Sequence, residues 1–261
     1  MLLVIDVGNT NIVMGIFDGD KLKTNWRIHT EKDTTEDEFN VLINGLFTTS
    51  SIKMTSIKHT IISSVVPPMV TILDAFCRRY LGHKPHWVDT NSYKGMPIHY
   101  SNPYEVGADR IVNAVAAFKK YKTSLIIIDF GTATTFDVVS YKGEYLGGAI
   151  CPGIIISSEA LFKKASKLPR VEIFTPPENV IGKDTNHSIR SGLIYGYAAL
   201  VDGMVKRMKL EMNDDPKVVA TGGLAPLMSA VSETIEHVEG QLTLEGLKII
   251  GNNMLTKDTD H

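Results

Sequence analysis

Two stretches of the chain set a carboxylate, a glycine and small polar residues in the same order. Leu2-Leu3-Val4-Ile5-Asp6-Val7-Gly8-Asn9-Thr10-Asn11 and Leu125-Ile126-Ile127-Ile128-Asp129-Phe130-Gly131-Thr132-Ala133-Thr134 each run four apolar residues into Asp-x-Gly and on into hydroxyl or amide side chains. Gly8 and Gly131 let backbone approach a ligand with no Cβ in the way. The Asn and Thr residues around them offer hydroxyl, amide and backbone N–H donors to an anion. Asp6 and Asp129, at the ends of apolar runs, can hold a cation or its hydration waters. One copy alone reads equally well as a hairpin turn. Two copies in equivalent places read as a pair of phosphate clamps.

Two further blocks carry chemistry. The segment from Met96 to Gly107, rich in Pro, Gly, Tyr and Asn, delivers Gly107-Ala108-Asp109-Arg110 to a helix whose apolar residues are Ile111, Val112, Val115 and Phe118. Asp109 admits two readings there. It can be the helix N-cap, or a base beside a guanidinium at the mouth of a pocket. A helix N-terminus lowers a carboxylate pKa and makes a weak base, which phosphoryl transfer tolerates because its loose transition state asks mainly for positioning. Arg110 can grip a substrate carboxylate through paired N–H donors. Later, Lys217 to Thr221 runs into Gly222-Gly223, which reads either as a turn or as bare backbone against which a flat adenosine can lie. Gly182-Lys183 is no Walker A loop, since no Gly stands five residues before Gly182 and Asp184 replaces the Ser or Thr.

The elements that must position these groups follow from periodicity. Each repeat continues as a hairpin, Ile12 to Phe17 turning at Asp18-Gly19-Asp20, and Thr135 to Tyr141 turning at Lys142-Gly143-Glu144. Thr24 to His29 supplies a third strand. Thr35 to Glu38 fits a capping box, with Phe39, Leu42, Ile43, Leu46 and Phe47 as the buried stripe of the helix behind it. A strand from Thr60 to Val66 stops at Pro67-Pro68, and the next helix buries Val70, Leu73, Phe76, Cys77 and Tyr80. Lys84 to Asp89 reads as a strand. In the second half a strand from Glu144 breaks at Cys151-Pro152-Gly153, and a helix spans Ile154 to Leu161. An irregular stretch from Lys167 to Pro177 leads to a long helix from Ser188 to Leu210. Its Gly192, Gly196, Ala198, Ala199 and Gly203 allow another helix to pack closely, within the chain or across a dimer. A last helix covers Glu245 to Met254, with fraying from Lys257.

At 261 residues, 43% hydrophobic and 21% charged, the chain suits two ordinary domains rather than a disordered protein. A formal net charge of -2 supplies no general pull toward nucleic acid, and no basic stripe or helix-turn-helix pattern offsets that. Two cysteines, Cys77 and Cys151, lack CxxC spacing and point to a reducing compartment; Cys77 on its helix stripe reads as a buried, inert thiol. Asp6 interrupts the apolar start and no later apolar run approaches ~20 residues, so a cytoplasmic protein without a membrane span is expected.

Taken jointly, Asp6 to Asn11, Gly107 to Arg110, Asp129 to Thr135 and Ala220-Thr221-Gly222-Gly223 resemble the type III pantothenate kinase family within the sugar kinase and actin superfamily. The resemblance implies an α/β fold of duplicated actin-like (ribonuclease H-like) βββαβα domains with a cleft between them. The expected division is 1–120 and 121–261, with the last helix free to pack back on the first domain. It implies ATP-dependent phosphorylation of pantothenate, the first step toward coenzyme A, with Asp109 as general base. Tyr100, Gly107, Ala108, Asp109, Arg110 and Thr185 would line the pantothenate pocket. Asp6, Val7, Gly8, Asn9, Thr10, Asn11, Ile12 and Val13 would form the first phosphate loop, with Thr132 touching ATP and Gly222 and Gly223 near adenosine. Asp129 corresponds to the ligand of a monovalent cation, K⁺ or NH₄⁺, and Mg²⁺ accompanies the nucleotide. The family is a homodimer. Two rivals share parts of the pattern. An ATP-gated machine of the actin type would need more chain than this for a peptide-binding domain, and a transcription-regulatory accessory protein lacks any supporting motif here.

Overall fold

The computed structural model of the chain describes residues 1–89 and 95–258. The first apolar run forms β1 (Leu2–Val7), with Leu3, Val4 and Ile5 wholly buried. The chain turns into β2 (Asn11–Asp18), reverses at Gly19 with φ +58°, and returns as β3 (Lys21–His29), the expected antiparallel meander. Helix α1 (Glu36–Thr49) opens on a complete capping box, the Thr35 hydroxyl accepting from the Glu38 amide at 3.2 Å and the Glu38 carboxylate from the Thr35 amide at 2.8 Å. Its buried row is Phe39, Ile43 and Phe47, while Leu42 is exposed. Leu46 packs partly against the same core, so of the expected stripe only Leu42 is left out.

Strand β4 (His59–Ser64) runs parallel to β1, and α2 (Pro67–Phe76) starts on its two prolines, where no intrahelical amide is lost. Leu73, Phe76 and Cys77 are buried as the sequence pattern gave them and Tyr80 packs partly against the same core, but Val70 faces outward and Met69 is buried in its place. Burial pushes the Cys77 thiol up to about 12, the inert state expected of it. Of the strand expected over 84–89, only β5 (His86–Trp87) pairs, at Ile61 and Ile62 of β4. Helix α3 (Ala108–Tyr121) follows.

The second half repeats the plan. Strands β6 (Leu125–Phe130), β7 (Ala133–Val139) and β8 (Tyr145–Pro152) form the meander. Strand β8 continues through Cys151-Pro152, where a break was expected, because it is an edge strand and an edge tolerates proline. Helices α4 (Ile154–Lys164) and α5 (Thr185–Met212) come next; α5 starts earlier than expected because the Asp184 carboxylate caps it, accepting from the His187 amide at 2.8 Å. Strand β9 (Lys217–Gly222) lies parallel to β6. Helix α6 (Ala225–Ser229), strand β10 (His237–Val238) and α7 (Leu242–Asp258) complete the chain. Neither α6 nor β10 is long enough to show a period in sequence. The fraying expected at the tail lies mostly outside the described residues.

The described residues form two five-stranded sheets with strand orders β3-β2-β1-β4-β5 and β8-β7-β6-β9-β10, the same order twice, as a duplicated α/β fold requires. Two compact units result, one of Met1–Pro97, Ser101–Ala116 and Leu242–His261, the other of Ile98–Tyr100 and Ala117–Gln241. In the first, α7 comes close to α3 and β4 at two glycines. A Cβ on Gly246 would stand 2.2 Å from the Val112 carbonyl oxygen, and one on Gly251 would stand 2.5 Å from Ile61 Cγ1. Among the described residues no helix is long and apolar enough to cross a membrane.

The second unit's core includes Ile126, Ile128, Phe130, Phe136, Ile154 and Ile194. Beside it Thr134 is 1% exposed, and its hydroxyl makes no hydrogen bond among the described residues. A buried hydroxyl without a partner costs about 1–3 kcal/mol. Thr134→Val should therefore raise the free energy of unfolding by about 1 kcal/mol or more in chemical denaturation. A loss of stability would show that the hydroxyl has a partner.

Candidate active site

The first turn is held shut by side chains outside its own motif. Asp6 lies in register with Ser63 on β4, whose hydroxyl donates to Asp6 Oδ1 at 2.6 Å. The Gly8 amide donates to the Asn11 carbonyl at 3.0 Å, and Thr30, just past β3, donates from its amide to the Thr10 carbonyl at 3.0 Å and from its hydroxyl to the Gly8 carbonyl at 2.7 Å. The motif's eight residues divide accordingly. Val7 and Ile12 point into the core, so a ligand meets them only through main chain; Asn9 and Thr10 are exposed, and Asp6, Gly8, Asn11 and Val13 are half-buried. Sequence reasoning missed Ser63 and Thr30, although a hydroxyl residue at the end of each strand flanking a turn was the available signal.

The second turn is built on the same plan with different parts. Asp129 lies in register with Thr135 on β7 and with Thr221 on β9. The Gly131 amide donates to the Ala133 carbonyl at 3.1 Å, one residue sooner than in the first turn, and the Gly153 amide donates to the Thr132 carbonyl at 3.2 Å. Only glycine fits at Gly153, since a Cβ there would stand 2.2 Å from that oxygen. Gly222 has φ +90°, and a Cβ on it would stand 2.6 Å from Asp129 Oδ1. The end of β9 is thus brought against the Asp129 carboxylate, which joins two of the predicted residues, and a side chain would fill the space between them. Gly223 follows, exposed like Thr132. Both turns offer oxygen donors only, the set that suits hard cations.

The third predicted block departs from expectation in an informative way. Helix α3 begins at Ala108, so Asp109 stands in its first turn and is not the N-cap. Its carboxylate folds back over the helix start. Oδ1 accepts from the Arg110 amide at 2.9 Å, and a Cβ on Gly107 would stand 2.5 Å from that oxygen, so Gly107 makes room for it. The pKa was expected to fall at the helix end. Instead burial pushes the Asp109 carboxyl above its ordinary value, against the opposing pull of the Arg110 amide and guanidinium. Desolvation outweighs the helix terminus here. Arg110 is itself only 7% exposed. The first turns of α3 are tied to α7, where the Thr243 hydroxyl donates to buried Asn113 Oδ1 at 2.8 Å.

Thr185, exposed at the first position of α5, borders an open cavity of about 660 Å³ lined also by Leu161, Gly182, Lys183, Asp184 and Ser188. Tyr100 is absent from that lining. It lies against Gly147 of β8. Gly182 packs on the helix start, where a Cβ would stand 2.5 Å from the Ser188 amide nitrogen, so the Gly-Lys pair that mimics a phosphate loop serves the α5 N-terminus.

Comparison with known proteins places this arrangement. A family profile described as type III pantothenate kinase matches residues 2–207. A protein named type III pantothenate kinase from Desulforapulum autotrophicum is 66% identical over 253 residues, 97% of each chain. Among solved structures, a conserved putative Baf family transcriptional activator from Campylobacter jejuni superposes with a TM-score of 0.60 at 17% identity, covering 96% of this chain and 98% of that one. A putative 2-dehydro-3-deoxygalactonokinase from Sinorhizobium meliloti gives 0.57 at 11% identity, covering 97% and 96%. At such identities these two structures speak for the fold alone, which is that of the sugar kinases and actin-like ATPases. The near-full-length identity and the family profile go further: the chain belongs to the type III pantothenate kinase family.

Proposed function

We propose that this chain transfers the γ-phosphoryl group of ATP to the primary hydroxyl of pantothenate, with Asp109 as general base, in the cytoplasm and as a homodimer. The family membership carries the reading. The geometry around Asp109 supports its acceptor side. A carboxylate whose pKa is raised by burial is a stronger base than one at an ordinary helix start, and the bare Cα of Gly107 lets it turn back toward the loop that precedes α3. Asp109 orients the hydroxyl and takes its proton. The amides of Asp6 to Val13 and of Asp129 to Thr135 hold the phosphates together with the exposed hydroxyls of Thr10 and Thr132, the latter touching ATP, and Gly222-Gly223 lies along adenosine. Positioning and charge stabilisation supply most of the acceleration.

Carboxylate oxygens at Asp6 and Asp129, with hydroxyl neighbours, fit Mg²⁺ and a monovalent cation, and the space a Cβ would fill beside Asp129 favours that residue for the latter. When bound, the cations neutralise charge on the phosphates. Tyr100, Arg110 and Thr185 recognise pantothenate, the Arg110 guanidinium donating to the pantothenate carboxylate. The homodimer is supported by exposed Ile155, Ile156 and Phe162 on α4 and by Gly192, Gly196 and Gly203 of α5, which face open space.

Purified protein should consume ATP only when pantothenate is supplied, and indifference to pantothenate would overturn the reading. Asp109→Asn should lower kcat by at least about 100-fold. Because a base acts only when deprotonated, the acidic limb of kcat/KM should lie above the usual carboxylate range, activity being lost as pH falls through the raised pKa. The sign for stability is opposite. A raised folded-state pKa means that ionised Asp109 destabilises the fold at neutral pH, a penalty relieved as pH falls. Asp109→Asn should accordingly melt no lower than the wild type at pH 7, and a variant both active and less stable would assign Asp109 to the fold.

Replacing K⁺ by Na⁺, or Asp129 by Ala, should raise KM for ATP with little change in thermal midpoint; rates indifferent to the ion would remove the cation from Asp129. Arg110→Lys should raise KM for pantothenate about tenfold to a hundredfold, the worth of a charge-assisted pair at about 1.5–3 kcal/mol. An analogue whose carboxylate is a neutral amide should suffer much less. Equal losses for acid and amide would reassign Arg110, either to the γ-phosphate or to a structural ion pair.

A further inference from the structure

Tyr100 reaches its place by a route that no motif marks. The segment Ile98–Tyr100 adds itself to the open edge of β8 in the second unit. Ile98 forms a parallel bridge with Tyr145, and the His99 amide donates to the Tyr145 carbonyl at 2.8 Å. The His99 ring stands 3.6 Å from a Glu144 carboxylate oxygen, and that carboxylate is held in turn by the Ser140 hydroxyl at 2.8 Å. One residue further, the Tyr100 ring lies over Gly147, where a Cβ would stand 3.6 Å from ring carbons. Space alone would therefore admit alanine. The backbone would not, because Gly147 has φ +117°. It also closes an irregularity in the ladder, since Val138 pairs with Gly147 but Val139 with Tyr145, leaving Leu146 as the extra residue. Bulges at a sheet edge re-aim what packs on them.

Beneath this edge sits a carboxylate that the proposed chemistry does not use. Asp137 on β7 is 0% exposed; the hydroxyl of Tyr145, equally buried, donates to its Oδ1 at 2.7 Å, and the Thr135 hydroxyl to its Oδ2 at 3.2 Å. A buried carboxyl group is tolerated only where its hydrogen bonds are made, so Asp137 fixes Tyr145, and Tyr145 carries the peptide to which the His99 amide bonds.

We propose that Gly147, together with the Asp137–Tyr145 pair below it, positions Tyr100 for recognition of the acceptor substrate. They are positioning residues and touch no substrate themselves. The inference rests on the reading of Tyr100 as a pantothenate residue.

The test is a double-mutant cycle on the full-length enzyme, reading KM for pantothenate, KM for ATP, kcat and thermal midpoint for Tyr100→Ala, Gly147→Ala and the two combined. Gly147→Ala should raise KM for pantothenate about tenfold, the scale of a sub-ångström to 1 Å misplacement, and leave KM for ATP within about twofold. The combined variant should be no worse than Tyr100→Ala alone, because Gly147 acts through that ring. If Tyr100→Ala raises KM while Gly147→Ala does not, or if the two effects add, the positioning role is overturned and the reading of Tyr100 stands. If Tyr100→Ala leaves KM unchanged, the reading of Tyr100 itself falls. Should Gly147→Ala fail to fold, Tyr145→Phe enters the same cycle. It removes only the hydroxyl bound to Asp137, and a KM for pantothenate equal to the wild type's would overturn the proposal.

Discussion

The central strands β1 and β6 are buried on both faces, and each surfaces only at its carboxylate. That burial fixes where the polar groups emerge. A strand with a meander neighbour on one side and a parallel neighbour on the other has every ladder bond made, so its register cannot slip without moving its apolar residues to the wrong face. Asp6 and Asp129 therefore come out at fixed heights beside the ends of β4 and β9. What those parallel strands carry at their ends, Ser63 in one unit and Gly222 in the other, decides what stands beside each carboxylate.

The two turns show how duplication and divergence separate. Both close on a glycine amide, and both are tied from the strand after the hairpin. In one the tie is a threonine that uses amide and hydroxyl together; in the other it is the amide of a glycine that heads α4. The first arrangement leaves Asp6 bonded to a serine, the second leaves Asp129 beside backbone stripped of a side chain. One scaffold thus gives two carboxylates different surroundings, and different surroundings are what let two equal groups do different work.

Asp109 illustrates how competing terms are settled by packing. The helix terminus and the neighbouring guanidinium both favour its charge, and each is real. Burial outweighs them, because the cost of stripping water from a carboxylate exceeds what one amide and a nearby cation return.

Much of this was legible before any coordinates. The repeated apolar run with Asp-x-Gly announced two equivalent sheets, the Thr35 to Glu38 box announced α1, and the four blocks in order announced the family. These features are local, written in neighbours a few residues apart, so sequence carries them. Three things were not legible. Which residue opens α2's buried row, Met69 rather than Val70, depends on what the helix start meets. The direction of the Asp109 shift depends on how deeply the folded chain buries its carboxyl. The companions of the turns, Thr30, Ser63 and Gly153, and the bed of Tyr100 on Gly147, Tyr145 and Asp137, lie 20 to 60 residues from what they hold. The sequence by itself determined which strands are buried and where the carboxylates surface, since period and burial follow from residue type along the chain. Only the tertiary structure decided which distant hydroxyl, glycine or peptide stands beside each of them, because hydrogen bonds and close approaches act over a few ångströms of space, whatever the separation in sequence.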